Sequence, residues 1–211
     1  MAAIIRVAVL VFDDVEVLDF AGPFEVFSVA GRLSRKLESP ASTLAAVRTI
    51  ATTPSVVVAR GGLRVTPDEV IGNGPTDVLI VPGGVVDAEL AKRNVIDWLR
   101  RQANESTLIA SVCTGAFLLA EAGLLDGKRA TTHWADIGDL RARYPRVDVQ
   151  AGVRFIDEGN VLTSAGIAAG IDLSLHIVAR LFGRELAQRT ARQMEYPWTA
   201  SADLVAVEAE A

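Results

Sequence analysis

The chain reads as an α/β protein, a mainly parallel central sheet with helices on both faces. Two observations predict this class. Three runs, IIRVAVLVF (4–12), DVLIVPGG (77–84) and STLIASVC (106–113), are apolar almost throughout, rich in branched residues, and end in polar residues or glycine. Strands buried on both faces have that pattern. Segments of helical spacing lie between these runs, and an alternation of strand and helix packs most economically as parallel strands with crossover helices.

Each element follows from its residues. After the first strand, Phe20, Phe24 and Phe27 fall on one helical face. AELAKRNVIDWLRRQANES (88–106) is amphipathic, with Leu90, Ile96 and Leu99 inward and Arg and Lys outward. Leu118, Leu119, Ala122 and Leu125 mark a third helix that the Gly127-Lys128 step ends. Near the C-terminus Ile167, Ile171, Leu175, Val178 and Leu181 recur every three or four residues. Two hairpins complete the pattern. One joins 56–59 to 63–65 across Gly61-Gly62 on an edge of the sheet, and the other turns at Glu158-Gly159-Asn160. Residues 1–196 form a single domain on this reading. The acidic, small-residue tail 197–211 is expected to be frayed.

Composition narrows the function classes. Half of the 211 residues are hydrophobic and 22% are charged, the balance of a globular protein. A net charge of −5 with dispersed arginines argues against a nucleic-acid footprint. The N-terminal MAAIIRVAVLVFDD is interrupted by Arg6 and closed by Asp13 and Asp14, so it reads as a buried strand rather than a signal peptide. The uncharged stretch 106–120 is shorter than the roughly 18 apolar residues of a membrane span. A cytoplasmic protein without membrane contact is expected. One cysteine and two histidines leave a zinc site with little support, and neither a phosphate loop nor a dinucleotide fingerprint is present. No cofactor is expected.

Chemistry concentrates where the third strand meets its helix. Ligands collect at the carboxyl ends of parallel strands. Cys113 stands there, and the following Thr114-Gly115 permits the sharp turn of a nucleophile elbow. The positive end of a helix and free N–H groups would favour a thiolate. A lone cysteine is as readily an inert core residue, and the residues alone leave the two readings level. Gly83 and Gly84 end the neighbouring strand. Their N–H groups could stabilise an oxyanion, or the pair could serve only a tight turn. Asp13 and Asp14 read as solvated turn residues. Asp19 lies between Leu18 and Phe20, where it could be a buried proton carrier or the cap of a helix beginning near Gly22-Pro23; spacing alone favours the cap. His133 either lines the pocket or hydrogen-bonds within a loop. His176, four residues from Asp172 and from Arg180, reads as a surface pair. Phe20, Val85, Trp134, Ile167 and Ala168 are candidate pocket walls, with core packing as the alternative.

VLDFAGPFEVF, DVLIVPGG, SVCTGAFLLAEAGLLDGKRATTHW and VLTSAGIAAGIDLSLHIVARLFG resemble the DJ-1/PfpI (ThiJ) superfamily over residues 4–194. Two branches are most similar: isonitrile hydratase, and the amidotransferase-like N-terminal domain of AraC-type regulators. The resemblance implies a flavodoxin-like three-layer sandwich, a homodimer and an easily oxidised cysteine at the elbow. By motif match it makes Cys113, Asp19 and Thr114 the catalytic set, and so turns the preference for Asp19 from cap to partner. Thr114 stands where the peptidase-like branch has histidine, and Asp19 where the DJ-1 branch proper has glutamate. Both departures weaken protease and glyoxalase readings. No basic recognition helix follows Met194, so DNA binding is not expected. The function implied is cysteine-dependent hydration of a small electrophile, an isonitrile. A metabolite or redox sensor using the same cysteine is the alternative, with glyoxalase-like activity behind it.

Overall fold

The computed structural model describes residues 3–35, 42–44, 47–72 and 76–198. Seven strands form the central sheet: β1 (Val7–Leu10), β2 (Arg48–Ala51), β3 (Glu69–Val70), β4 (Val78–Val81), β5 (Leu108–Val112), β6 (Phe155–Asp157) and β7 (Val161–Ser164). Their spatial order is β6-β7-β5-β4-β1-β2-β3. Every neighbouring pair is parallel except β6 with β7, the expected hairpin around Glu158–Asn160. β1, β4 and β5 are buried along their whole length. This explains their unbroken apolar sequence: each fully buried Leu or Ile, such as Leu79, Ile80 and Ile109, contributes about 1.5–3 kcal/mol.

The helices are α1 (Val17–Ser34), α2 (Asp87–Leu90), α3 (Arg93–Glu105), α4 (Gly115–Glu121), α5 (Ile137–Arg143), α6 (Ala169–Phe182) and α7 (Arg184–Gln193). α1, α6 and α7 pack as one group and α2, α3 and α4 as another, flanking the sheet in three layers. In α1, Phe20 and Phe27 are buried and Phe24 half-buried, as their spacing predicts.

Several local expectations change. The run 4–12 is two strands, because Arg6 N–H bonds the Asp77 side chain at 2.7 Å. The piece before it, Ala3–Ile5, pairs instead with Ser42–Leu44. The amphipathic run 88–106 breaks between α2 and α3. The third helix ends at Glu121, not at Gly127: Gly123 takes φ 76° and donates to Ala120 O, a left-handed stop. The first hairpin, Val57–Val58 against Arg64–Val65, forms its own two-stranded sheet, and β3 takes the edge. It rests on the loop after β1, where Val58 N–H donates to Asp13 Oδ1 and Asp14 N–H to Val58 O. Of the tail, Pro197 and Trp198 are described, and Trp198 packs against the core; 199–211 lie outside the described residues. Among the described residues no helix is long and apolar enough to cross a membrane.

Candidate active site

Because β4 lies between β1 and β5, the chain leaving each strand delivers one part of the site: Asp19 on α1, Gly83-Gly84 after β4, and Cys113 after β5. The loop after β7 closes the fourth side. Cys113 itself adopts φ 57°, a left-handed conformation that costs a non-glycine residue roughly 1–2 kcal/mol. Backbone bonds on both sides hold it there. Its N–H reaches Ser164 O at 3.2 Å and Ala165 O at 3.3 Å. Its carbonyl accepts from the Thr132 hydroxyl at 2.9 Å and from Ala116 N–H at 3.2 Å. The residue is 7% exposed.

Asp19 does not cap a helix. α1 starts at Val17, so Asp19 lies in its first turn and Pro23 inside the helix. The carboxyl is 0% exposed. Oδ2 accepts the Gly83 N–H at 3.0 Å, while Oδ1 is buried without a partner of good hydrogen-bond geometry. Burial pushes the Asp19 pKa up to about 7. The Gly83 N–H, the Cys113 thiol and the Ile167 N–H pull it down, and the nearby Glu16 charge adds to the rise.

Two effects act against the thiolate that the sequence leads one to expect. Burial pushes the Cys113 pKa up to about 12, and the Asp19 charge raises it further. The Thr114 N–H and hydroxyl act the other way and do not prevail. A seven-residue helix supplies only a modest end charge, whereas removing water costs the anion more. Loss of water thus favours the thiol form of Cys113, beside a carboxyl whose pKa is raised to about 7.

The glycine N–H groups also differ from expectation. Gly83 N–H is spent on Asp19, and Gly84 N–H donates to Thr114 Oγ1 at 2.9 Å. The Thr114 hydroxyl in turn donates to Gly84 O at 2.9 Å. Thr114 thus pins the β4 loop to the elbow rather than holding Asp19, and neither glycine offers a free oxyanion donor. The pin requires close approach: a Cβ on Gly83 would lie 2.5 Å from Thr114 Oγ1 and 2.9 Å from Asp19 Oδ2.

Of the other candidate residues, His133 is half-buried and lies against Gly166, where an added Cβ would meet its Cδ2 at 2.2 Å. Its Nδ1 accepts from Ala135 N–H at 3.3 Å. Loop hydrogen bonding and a place beside the β7 loop therefore coexist. Trp134 is 81% exposed and meets the His133 ring at a tilt of 39°, with ring centroids 5.4 Å apart. Ile167 stands outside α6 with φ 53° and a partly exposed side chain, because its backbone turns toward Asp19. Ala168 is exposed and precedes α6, Val85 is exposed, and Phe20 belongs to the core. His176 bonds Asp157 at 2.7 Å rather than Asp172, which pairs with Arg154. Sequence reasoning missed Thr132 and the Ala165-Gly166 loop. They lie within the TTHW and TSAG motifs, but only the pairing of β7 with β5 brings them to Cys113. Among the described residues no group of three or more His, Cys, Asp or Glu is arranged to hold a metal ion.

Comparison with known proteins adds an independent line. Residues 5–180 match the DJ-1/PfpI family. An isonitrile hydratase from Pseudomonas putida is 34% identical over 194 residues, covering 91% of this chain and 78% of the relative. The HTH-type transcriptional regulator GbdR from Pseudomonas aeruginosa is 32% identical over 188 residues; the match takes in 89% of this chain but 49% of the regulator, so the chain spans about half of that protein's length. Among solved structures, a THiJ/PfpI family protein from Pseudomonas syringae superposes with a TM-score of 0.79 at 27% identity, covering 94% of this chain and 77% of that one.

Proposed function

The chain belongs to the DJ-1/PfpI family, and on that premise we propose that it is a cysteine-dependent hydro-lyase that hydrates an isonitrile to an N-substituted formamide. The observation that carries the reading is a fully buried Asp19 carboxyl, held by Gly83 N–H at 3.0 Å and coupled to the Cys113 thiol across the elbow, whose pKa burial raises to about 7. The similarity to an isonitrile hydratase supports the choice of substrate.

The chemistry suits a resting thiol. Cys113 Sγ forms a bond to the terminal carbon of R–N≡C as the S–H proton passes to the Asp19 carboxylate. Asp19 returns that proton to the same carbon, giving the thioimidate R–N=CH–S. Water then adds to this carbon, a proton reaches nitrogen, and the C–S bond breaks. R–NH–CHO departs and the sulfur regains its proton. One isonitrile and one water are consumed, with no net oxidation. Thr114 positions the elbow through Gly84, and the Thr114 N–H steadies charge on sulfur. The substrate is a small molecule, and the homodimer implied by the family resemblance belongs to the same reading.

Incubation with an aryl isonitrile tests it. Multiple equivalents of formamide per protein are expected, against none above background for Cys113→Ala. A second reading, a metabolite or redox sensor, is favoured by the similarity to a transcriptional regulator. It predicts at most one equivalent of modified cysteine and no turnover.

A further inference from the structure

Cys113 is only 7% exposed, so any substrate must approach past the side chains around it. Among the described residues, four of the eight exposed large apolar side chains are Leu18, Val85, Trp134 and Ile167. All four adjoin the site in the chain. Leu18 precedes Asp19, and Val85 follows the Gly84 that is pinned to Thr114. The N–H of Ile167 acts on Asp19. Trp134 lies two residues after Thr132, which holds the Cys113 carbonyl, and its ring contacts the His133 that rests against Gly166. Single exposed apolar residues are ordinary, whereas several gathered around one buried reactive group mark a binding surface. An indole that meets an imidazole at a 39° tilt and is 81% exposed keeps ring surface open to an aromatic or apolar group.

The charge that bears on Asp19 from this rim is negative. Glu16 is close enough to raise the Asp19 pKa, and among the described residues it pairs with Arg60 at 3.3 Å in a solvent-exposed contact. An anionic substrate would meet repulsion as well as lose apolar contact.

Resting on the hydratase reading, we propose that Trp134 is a specificity-determining residue that, with Val85 and Ile167, receives the N-substituent and selects isonitriles bearing an uncharged apolar or aromatic group. The indole binds the part of the substrate that does not react, so its removal acts on binding rather than on chemistry.

The test separates binding from turnover. N-phenylformamide, the product, and N-formylglycine, an anionic analogue, are each titrated into the protein while tryptophan emission is followed. Trp98 is buried, with its indole N–H on Gly72 O at 3.2 Å, and Trp198 is half-buried against the core, so Trp134 is the most exposed of the three and Trp134→Ala isolates its signal. Saturable quenching by N-phenylformamide and none by N-formylglycine is expected, with the signal lost in Trp134→Ala. In kinetics, Trp134→Ala should raise KM for phenyl isonitrile about tenfold with kcat within twofold, and Trp134→Phe should recover most of the loss. Because Trp134 is a surface residue, neither change removes core packing. Equal KM of wild type and Trp134→Ala for phenyl isonitrile, or quenching by N-phenylformamide that persists in Trp134→Ala, overturns the proposal. So does Trp134 emission that follows protein concentration and ignores ligand, which would show that a second copy covers the indole. Failure of isonitrile turnover with the quenching intact would remove the hydratase reading and leave the apolar binding surface standing.

Discussion

Two carboxylates in this molecule are driven in opposite directions by their surroundings. Asp19 is sealed within the first turn of α1 and accepts one good hydrogen bond, from Gly83 N–H. Asp157, at the β6 edge, meets the His176 ring at 2.7 Å, the Gly159 N–H at 2.9 Å and the Arg180 guanidinium at 2.8 Å. Burial acts upward on both. At Asp157 the His176 bond, the Gly159 N–H and the Arg180 charge outweigh it and hold the pKa below the usual carboxylate range. At Asp19 the Gly83 N–H, the Cys113 thiol and the Ile167 N–H act downward but do not outweigh burial, and the pKa rises to about 7. A saturated carboxylate fixes structure, whereas an undersupplied one can exchange a proton at working pH.

The largest effect that could break this contrast is at the thiol. Cys113→Ala should abolish formamide production, a loss of at least about 10³-fold, with the fold intact by circular dichroism. Asp19→Asn comes next. A loss of roughly 10²–10⁴-fold in kcat/KM is expected, because the amide accepts no proton. In the parent protein kcat/KM should climb with pH and level above about 7, as Asp19 becomes the carboxylate that accepts the thiol proton. A profile that falls across that range would reverse the proton's direction.

Stability against pH sharpens the same comparison. The folded Asp19 pKa lies above the unfolded value, so the stability of the protonated form is present below about 4 and is lost as pH rises through about 7. Asp19→Asn should remove that slope, and thermal melts between pH 4 and 8 would show it as a gap of a few kcal/mol that opens with pH. Asp157 has the opposite sign: its contribution is present above its unfolded pKa and is lost as pH falls through the depressed folded value. Partial exposure screens it, so Asp157→Asn should cost only about 1 kcal/mol and leave turnover within twofold.

Between these lies Thr114→Val, which breaks both bonds to Gly84 and strands its N–H and carbonyl. A loss of about 1–3 kcal/mol in chemical denaturation and roughly tenfold in kcat is expected, with Thr114→Ser restoring most of both. Full activity in Thr114→Val would show that the β4 loop needs no pin.

Residue patterns alone determined the parallel sheet, the edge hairpin at Glu158–Asn160 and the placing of Cys113 at a strand-to-helix turn. Burial on both faces writes itself into long apolar runs, and a sharp turn into small residues. The pairing of Asp19 with Cys113 came from motif resemblance; spacing alone favoured a helix cap. Tertiary structure decided the rest. Whether the sulfur carries a proton depends on how much water it loses and on which N–H groups remain free, and those groups come from four strand ends far apart in the chain. The same holds for His176, whose partner proved to be Asp157 across the β6 edge. Local periodicity reports which face a residue shows to the core. It carries no record of which residues from other strands meet it there, and solvation energies are set by that meeting.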